Sequence, residues 1–175
     1  MEDRRNVPKC DSFYDFMVRI RDWYGTMIAF KSEEHEWSYE DIYRMVLNVS
    51  SVIKSKQLIY CIDVTDPVLF FVVFMAVTIS GNIAWLSENA ECEQYIYISD
   101  NEVKEMLKNS NVYEIEDKYD KGKVSVVAQS SGTTSISKGV MLSQNNILTD
   151  MVAGVREYDL SLIHISEPTR LRRIS

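Results

Sequence analysis

The chain is poor in metal-binding and redox chemistry. Its three cysteines, Cys10, Cys61 and Cys92, lie far apart with no Cys-x-x-Cys pair and no nearby histidine cluster, which excludes a sequence-local zinc site. They read as thiols, and the odd count points to a reducing cytoplasm. So does the start Met1-Glu-Asp-Arg-Arg, which lacks the basic, apolar and small-residue regions of a secretory leader. Only two histidines occur. His35, among Glu33, Glu34 and Glu36, reads as a surface residue rather than a catalytic base. No apolar run approaches the ~20 residues that span a bilayer; the longest, Val68 to Ile79, suits a core helix, so no transmembrane segment is expected. A basic stripe is missing too: 26 acidic residues outweigh 19 Lys and Arg, for a net charge of -7. That argues against a nucleic-acid partner. There is no internal repeat and no low-complexity tract.

What remains is ordinary globular usage, 46% hydrophobic and 26% charged, in a length that suits one domain or part of a larger one. One stretch departs from the acidic background. Ser130-Ser-Gly-Thr-Thr-Ser-Ile-Ser-Lys-Gly139 gathers small hydroxyl residues (Ser130, Ser131, Thr133, Thr134) around Gly132 and ends in Lys138 and Gly139. Backbone N–H and side-chain O–H groups can converge there on an oxyanion, and no carboxylate competes. Such a loop suits phosphate better than a cation.

The flanking pattern alternates strand and helix. Phe13, Phe16, Met17 and Ile20 recur at helical spacing. Ser38 can cap a helix from Trp37 to Lys54, with Asp41 at its third position, Trp37 and Ile42 spaced for a hydrophobic staple, and Ile42, Met45, Val46, Val49, Val52 and Ile53 on its apolar face. Leu58 to Ile62 reads as a buried strand. Asp66-Pro67 opens the apolar helix and Gly81 stands at its C-terminal cap. Asn82 to Leu86 and Tyr95 to Ile98 read as strands, Asn101 to Asn109 as an exposed helix with Val103, Met106 and Leu107 inward, and Val112 to Ile115 as a further strand. A solvated turn around Gly122 follows. Val124 to Ala128 then feeds a strand into the hydroxyl-rich loop, and Ser143 caps a last helix near Gln144 with Ile147, Met151 and Val155 on one side. This order predicts an α/β fold, a mainly parallel sheet with flanking helices.

The loop resembles the phosphate-binding signature of the acyl-adenylate-forming (AMP-binding) enzymes, Ser-Gly-Thr-Thr-Gly-x-Pro-Lys-Gly followed by Val-Met-Leu-Ser-His-x-Asn. Ser131, Gly132, Thr133, Thr134, Lys138, Gly139, Val140, Met141, Leu142, Ser143 and Asn146 stand at matching positions. Ser135, Ser137 and Gln144 depart from the pattern, replacing the second glycine, the proline and the histidine. Loss of the proline leaves the loop freer before ligand arrives, and Gln144 cannot be protonated as a histidine can. A weaker likeness runs from about Phe30 to Leu160. A Walker loop is excluded because Lys138 precedes Gly139.

The resemblance implies a partial N-terminal domain of an adenylate-forming enzyme over residues 1–161. Residues 162–175 resemble an adaptor-like read-through and are set aside as a non-native tail. It implies a ligase chemistry that activates a carboxylic acid on ATP to an acyl-AMP and then forms a thioester, with coenzyme A as the co-substrate of an acyl-CoA synthetase of fatty acid metabolism. Ser130, Ser131, Gly132, Thr133, Thr134, Lys138 and Gly139 would bind ATP, the first hydroxyls on its β and γ phosphates and Lys138 on the leaving pyrophosphate, with magnesium carried on the phosphates. No catalytic residue and no protein metal ligand is assigned. Because the rest of the family's site lies beyond this stretch, the fragment alone is expected to be inactive, and its uncovered sheet edge and core surface to favour self-association. Alternatives are an amino-acid-activating domain of a peptide synthetase, a non-catalytic nucleotide-binding or interaction module, a ligand-free turn, or an amidase-like serine, for which no partner lysine is evident.

Overall fold

Ser12 starts the first helix by accepting a hydrogen bond from the Asp15 amide at 3.0 Å. The computed structural model describes residues 10–53, 57–86, 95–108, 122–130 and 138–158. Helix α1 (Phe13–Tyr24) buries Phe13, Phe16, Met17 and Ile20, the four residues its periodicity singled out. A short antiparallel hairpin, β1 (Ile28–Lys31) and β2 (Glu36–Ser38), follows. Its strands are too short and too exposed to have announced themselves in the sequence.

Helix α2 (Tyr39–Val52) begins in a full capping box: the Ser38 hydroxyl accepts from the Asp41 amide at 3.1 Å, and the Ser38 amide donates to the Asp41 carboxylate at 2.9 Å. The Ser38 hydroxyl also donates to the Asp41 carboxylate at 2.6 Å, and this bond, with the one from the Ser38 amide, holds the Asp41 carboxyl below its ordinary range. Its buried face differs from the expected stripe. Tyr43, Leu47 and Ser50 join Ile42, Val46 and Val49 inside, while Val52 is 44% exposed. The face shifts because α2 packs against α1 and also against the two later helices α3 and α4, over Pro67–Ile79 and Asp100–Lys108.

The main sheet has the order β5-β3-β4-β6-β7, from β3 (Ile59–Asp63), β4 (Ile83–Leu86), β5 (Ile96–Ser99), β6 (Val124–Ser130) and β7 (Lys138–Ser143). Every pairing is parallel except β6 with β7. The mainly parallel α/β expectation therefore holds, with an antiparallel strand added at one edge. Tyr60, Ile62, Ala84 and Ile98 share one face of the sheet by register and join the helices in one core cluster.

Helix α3 (Pro67–Ile79) lies at the centre of that core. Asp66 accepts from the Val68 and Leu69 amides at 2.8 and 3.0 Å, Pro67 occupies the first turn, and Gly81 sits just beyond the C-cap with φ 74°. Both end signals were legible. Val72, Val73, Ala76 and Val77 are fully buried, but Phe70, Phe71 and Phe74 are only half-buried. The burial expected of a core helix is thus incomplete. Helix α4 turns Val103 inward, and α5 (Gln144–Tyr158) follows β7 directly. The strand expected at Val112 to Ile115 lies outside the described residues. No described helix is long and apolar enough to cross a membrane.

Candidate functional site

The hydroxyl-rich stretch is carried by the β6–β7 hairpin. Val124, Val126 and Val127 favour an extended backbone, and β6 lies parallel to β4 with Ala84 opposite Val126 and Leu86 opposite Ala128. The chain returns along β7 in antiparallel register, with Ser130 opposite Lys138, Gln129 opposite Gly139 and Val127 opposite Met141. Ser130 and Lys138 therefore face each other across the mouth of the loop. Residues 131–137 join them, so Ser131, Gly132, Thr133 and Thr134 lie outside the described residues.

Gly139 is exposed, and a Cβ added there would stand 3.1 Å from Cγ1 of Val127 on the neighbouring strand. A side chain at this position would have to displace that valine, so glycine keeps the base of the loop narrow. The loop leaves the carboxyl end of β6, beside the carboxyl ends of β3, β4 and β5, which is where open parallel sheets place their ligands. Seven residues also exceed the two to five of an ordinary hairpin connection.

The acidic groups at the same end of the sheet serve the fold. Asp100 accepts from the Thr65 amide, the Thr65 hydroxyl and the Asp66 amide at 3.0, 3.0 and 3.1 Å, and the two backbone bonds hold its carboxyl below the ordinary range. Asp63 accepts from the Tyr97 hydroxyl at 2.7 Å, which pushes that phenol up. Among the described residues no group of three or more His, Cys, Asp or Glu could hold a metal ion. His35 is exposed and stacks on Trp37 with ring centroids 5.6 Å apart.

Two features escaped the sequence. One is an apolar groove of about 490 Å³ between α1, the β1–β2 hairpin, α3 and α5, lined by Phe16, Phe30, Phe70, Phe71, Phe74 and Met151 among others. The other is Gln144, fully buried at the β7–α5 junction. Its Oε1 accepts from the Phe13 amide at 2.7 Å and its Nε2 donates to the Thr78 carbonyl at 3.1 Å. Spacing held a clue: Gln144, Ile147, Leu148 and Met151 follow the i, i+3, i+4, i+7 rule, which puts Gln144 on the inward face.

The sequence matches no family model, and no curated protein matches it significantly. Solved structures do match by shape. o-Succinylbenzoate CoA synthetase (MenE) from Bacillus subtilis, in complex with the acyl-adenylate intermediate OSB-AMP, superposes with TM-score 0.69 at 15% identity over 83% of this chain and 46% of that one. The Klebsiella oxytoca NpsA N-terminal subdomain with anthranilyl-AMSN gives 0.67 at 14% identity over 80% and 43%. McyG A-PCP complexed with phenylalanyl-adenylate gives 0.69 at 16% identity over 89% and 32%. The chain spans less than half the length of each of these proteins. Its five-stranded, mostly parallel sheet with flanking helices has the fold of the N-terminal portion of adenylate-forming enzymes.

Proposed function

We propose that the chain is the N-terminal part of an enzyme that activates a carboxylic acid on ATP, and that the β6–β7 hairpin is its phosphate-binding element. The observation that carries this reading is the coincidence of two independent facts. Ser131 to Thr134, Lys138 and Gly139 match the adenylate-forming signature in order, and β6, which ends at Ser130, belongs to a sheet of that fold. Ser130, Ser131, Gly132, Thr133 and Thr134 would hold the β and γ phosphates of magnesium-ATP, and Lys138 would neutralise charge on the departing pyrophosphate.

The likeness to MenE supports an acyl-CoA synthetase, with coenzyme A as acceptor, and the equal TM-score of McyG A-PCP supports an amino-acid-activating domain. In either reading residues 1–161 supply one wall of the site and 162–175 are not part of it. The polypeptide alone is then expected to show no carboxylate-dependent ATP–pyrophosphate exchange. Titration with magnesium-ATP should still shift the Gly132 and Thr133 amides, and Lys138→Ala should weaken that response. Unmoved amides would reject the phosphate loop, and measurable exchange would reject the partial-site reading.

The apolar groove, together with β7 at the edge of the described sheet and its 69% exposed Met141, supports weak self-association. Sedimentation at increasing concentration tests it, and a single monomer throughout would count against it.

A further inference from the structure

Gln144 has an arrangement that a filler side chain would not need. Phe13 is the first residue of α1, so its N–H has no partner within the helix, and Thr78 lies in the last turn of α3. Helix ends of this kind are usually satisfied by their own neighbours in sequence. Here one amide, 131 residues from Phe13 and 66 from Thr78, serves both. The Thr78 carbonyl also accepts from the Gly81 amide at 3.2 Å, so the Phe13 N–H depends on Gln144 more than the carbonyl does. The junction is tied locally too: the Ser143 amide and hydroxyl donate to the Asn146 side chain at 3.0 and 2.8 Å, which fixes the turn from β7 into α5.

We infer that Gln144 is a positioning residue that locks β7, and with it Lys138 and Gly139, against the α1–α3 core. The inference rests on the phosphate-hairpin reading for its functional consequence, though not for its mechanical one. The lock requires one acceptor and one donor on the same side chain, at a place with no access to water. A carboxylate offers two acceptors and an imidazolium two donors, so each ionised form breaks one of the two bonds. A carboxylic acid or a neutral imidazole restores the pair.

Three variants therefore separate the lock from simple packing. Gln144→Leu should loosen β7 at every pH. Gln144→Glu should hold β7 in acid and release it as the side chain ionises. Gln144→His should hold it in mild base and release it on acidification. The charged and titratable groups around the start of α1 are Asp11, Asp15, Arg19, which donates to Asp15 at 2.8 Å, and the Cys10 thiol beside them; the last turn of α3 carries no basic residue and the first turn of α5 no acidic one. The wild type at each pH subtracts their contribution.

The measurement is amide hydrogen exchange of the β7 amides bonded to β6, with α2 amides as the internal reference and magnesium-ATP titration of the same samples. Release should raise β7 exchange by roughly tenfold or more over the reference, and ATP binding should weaken in step. Equal exchange across all three variants, or Glu and His variants without opposite pH dependence, would overturn the lock. Should the Leu variant fail to fold, the Glu and His variants at their permissive pH still decide the matter. If β7 loosens as expected while the wild type shows no response to ATP, the lock stands and the phosphate-hairpin reading falls.

Discussion

Helix α3 and the β7–α5 junction are both buried structural anchors, but they are secured in opposite ways. The helix is secured from within its own stretch: Asp66 and Pro67 begin it, Ser80 and Gly81 end it, and the apolar residues between need only a core to enter. The junction has the local Ser143–Asn146 bonds, but it is held to the core from elsewhere, by one side chain reaching two helices distant in sequence. A helix anchored locally should lose stability without disturbing the hairpin. A junction anchored remotely should lose the hairpin's position before much of its global stability.

The largest effect should come from Leu69→Ala in α3. Leu69 is 7% exposed, and truncating it should cost about 2–5 kcal/mol in urea unfolding. The loss should be global, with β7 exchange rising only in proportion. Gln144→Leu comes next, at about 1–3 kcal/mol for the stranded Phe13 N–H, and here β7 exchange should rise beyond the global change. If both variants gave the same exchange pattern, the contrast between the two anchors would collapse.

Asp66→Ala should cost about 1 kcal/mol by thermal melt, because the Val68 and Leu69 amides lose their cap. The smallest change should follow Gly139→Ala, within about 1 kcal/mol, since the new methyl needs Cγ1 of Val127, 3.1 Å away, to give by only a few tenths of an ångström. A pH series tests the sheet end that the hairpin shares. Asp100 is held below its ordinary range when folded, so its contribution is present above the unfolded value near 3.8 and fades as pH falls through the lower folded value. Asp100→Asn should flatten that acid limb in a melt series.

The same contrast explains what could be read from the sequence. The capping box at Ser38, the Asp66-Pro67 start, the glycine at positive φ and the stripe of α1 are signals that complete themselves within a few residues, and all four stand in the structure. The β1–β2 hairpin went unseen because Ile28 to Lys31 and Glu36 to Ser38 are short and, among the described strands, pair only with each other. Strand β7 went unseen because its apolar run, Val140 to Leu142, becomes a strand through register with β6. Gln144 was noticed as a departure from a family pattern, but its two partners lie far away in the chain. For the candidate site, the sequence named the loop and the structure supplied the two strands on either side of it.

The half-buried phenylalanines of α3 have a thermodynamic consequence. Phe70, Phe71 and Phe74 line about 490 Å³ of apolar space and keep part of their surface in contact with solvent in the native state. That surface is already hydrated before unfolding begins. The heat-capacity increment of unfolding should therefore fall below the roughly 12–15 cal/mol/K per residue of a closed domain, and the urea slope should fall with it. A molecule that filled the groove would raise the stability of the fold and steepen both quantities together.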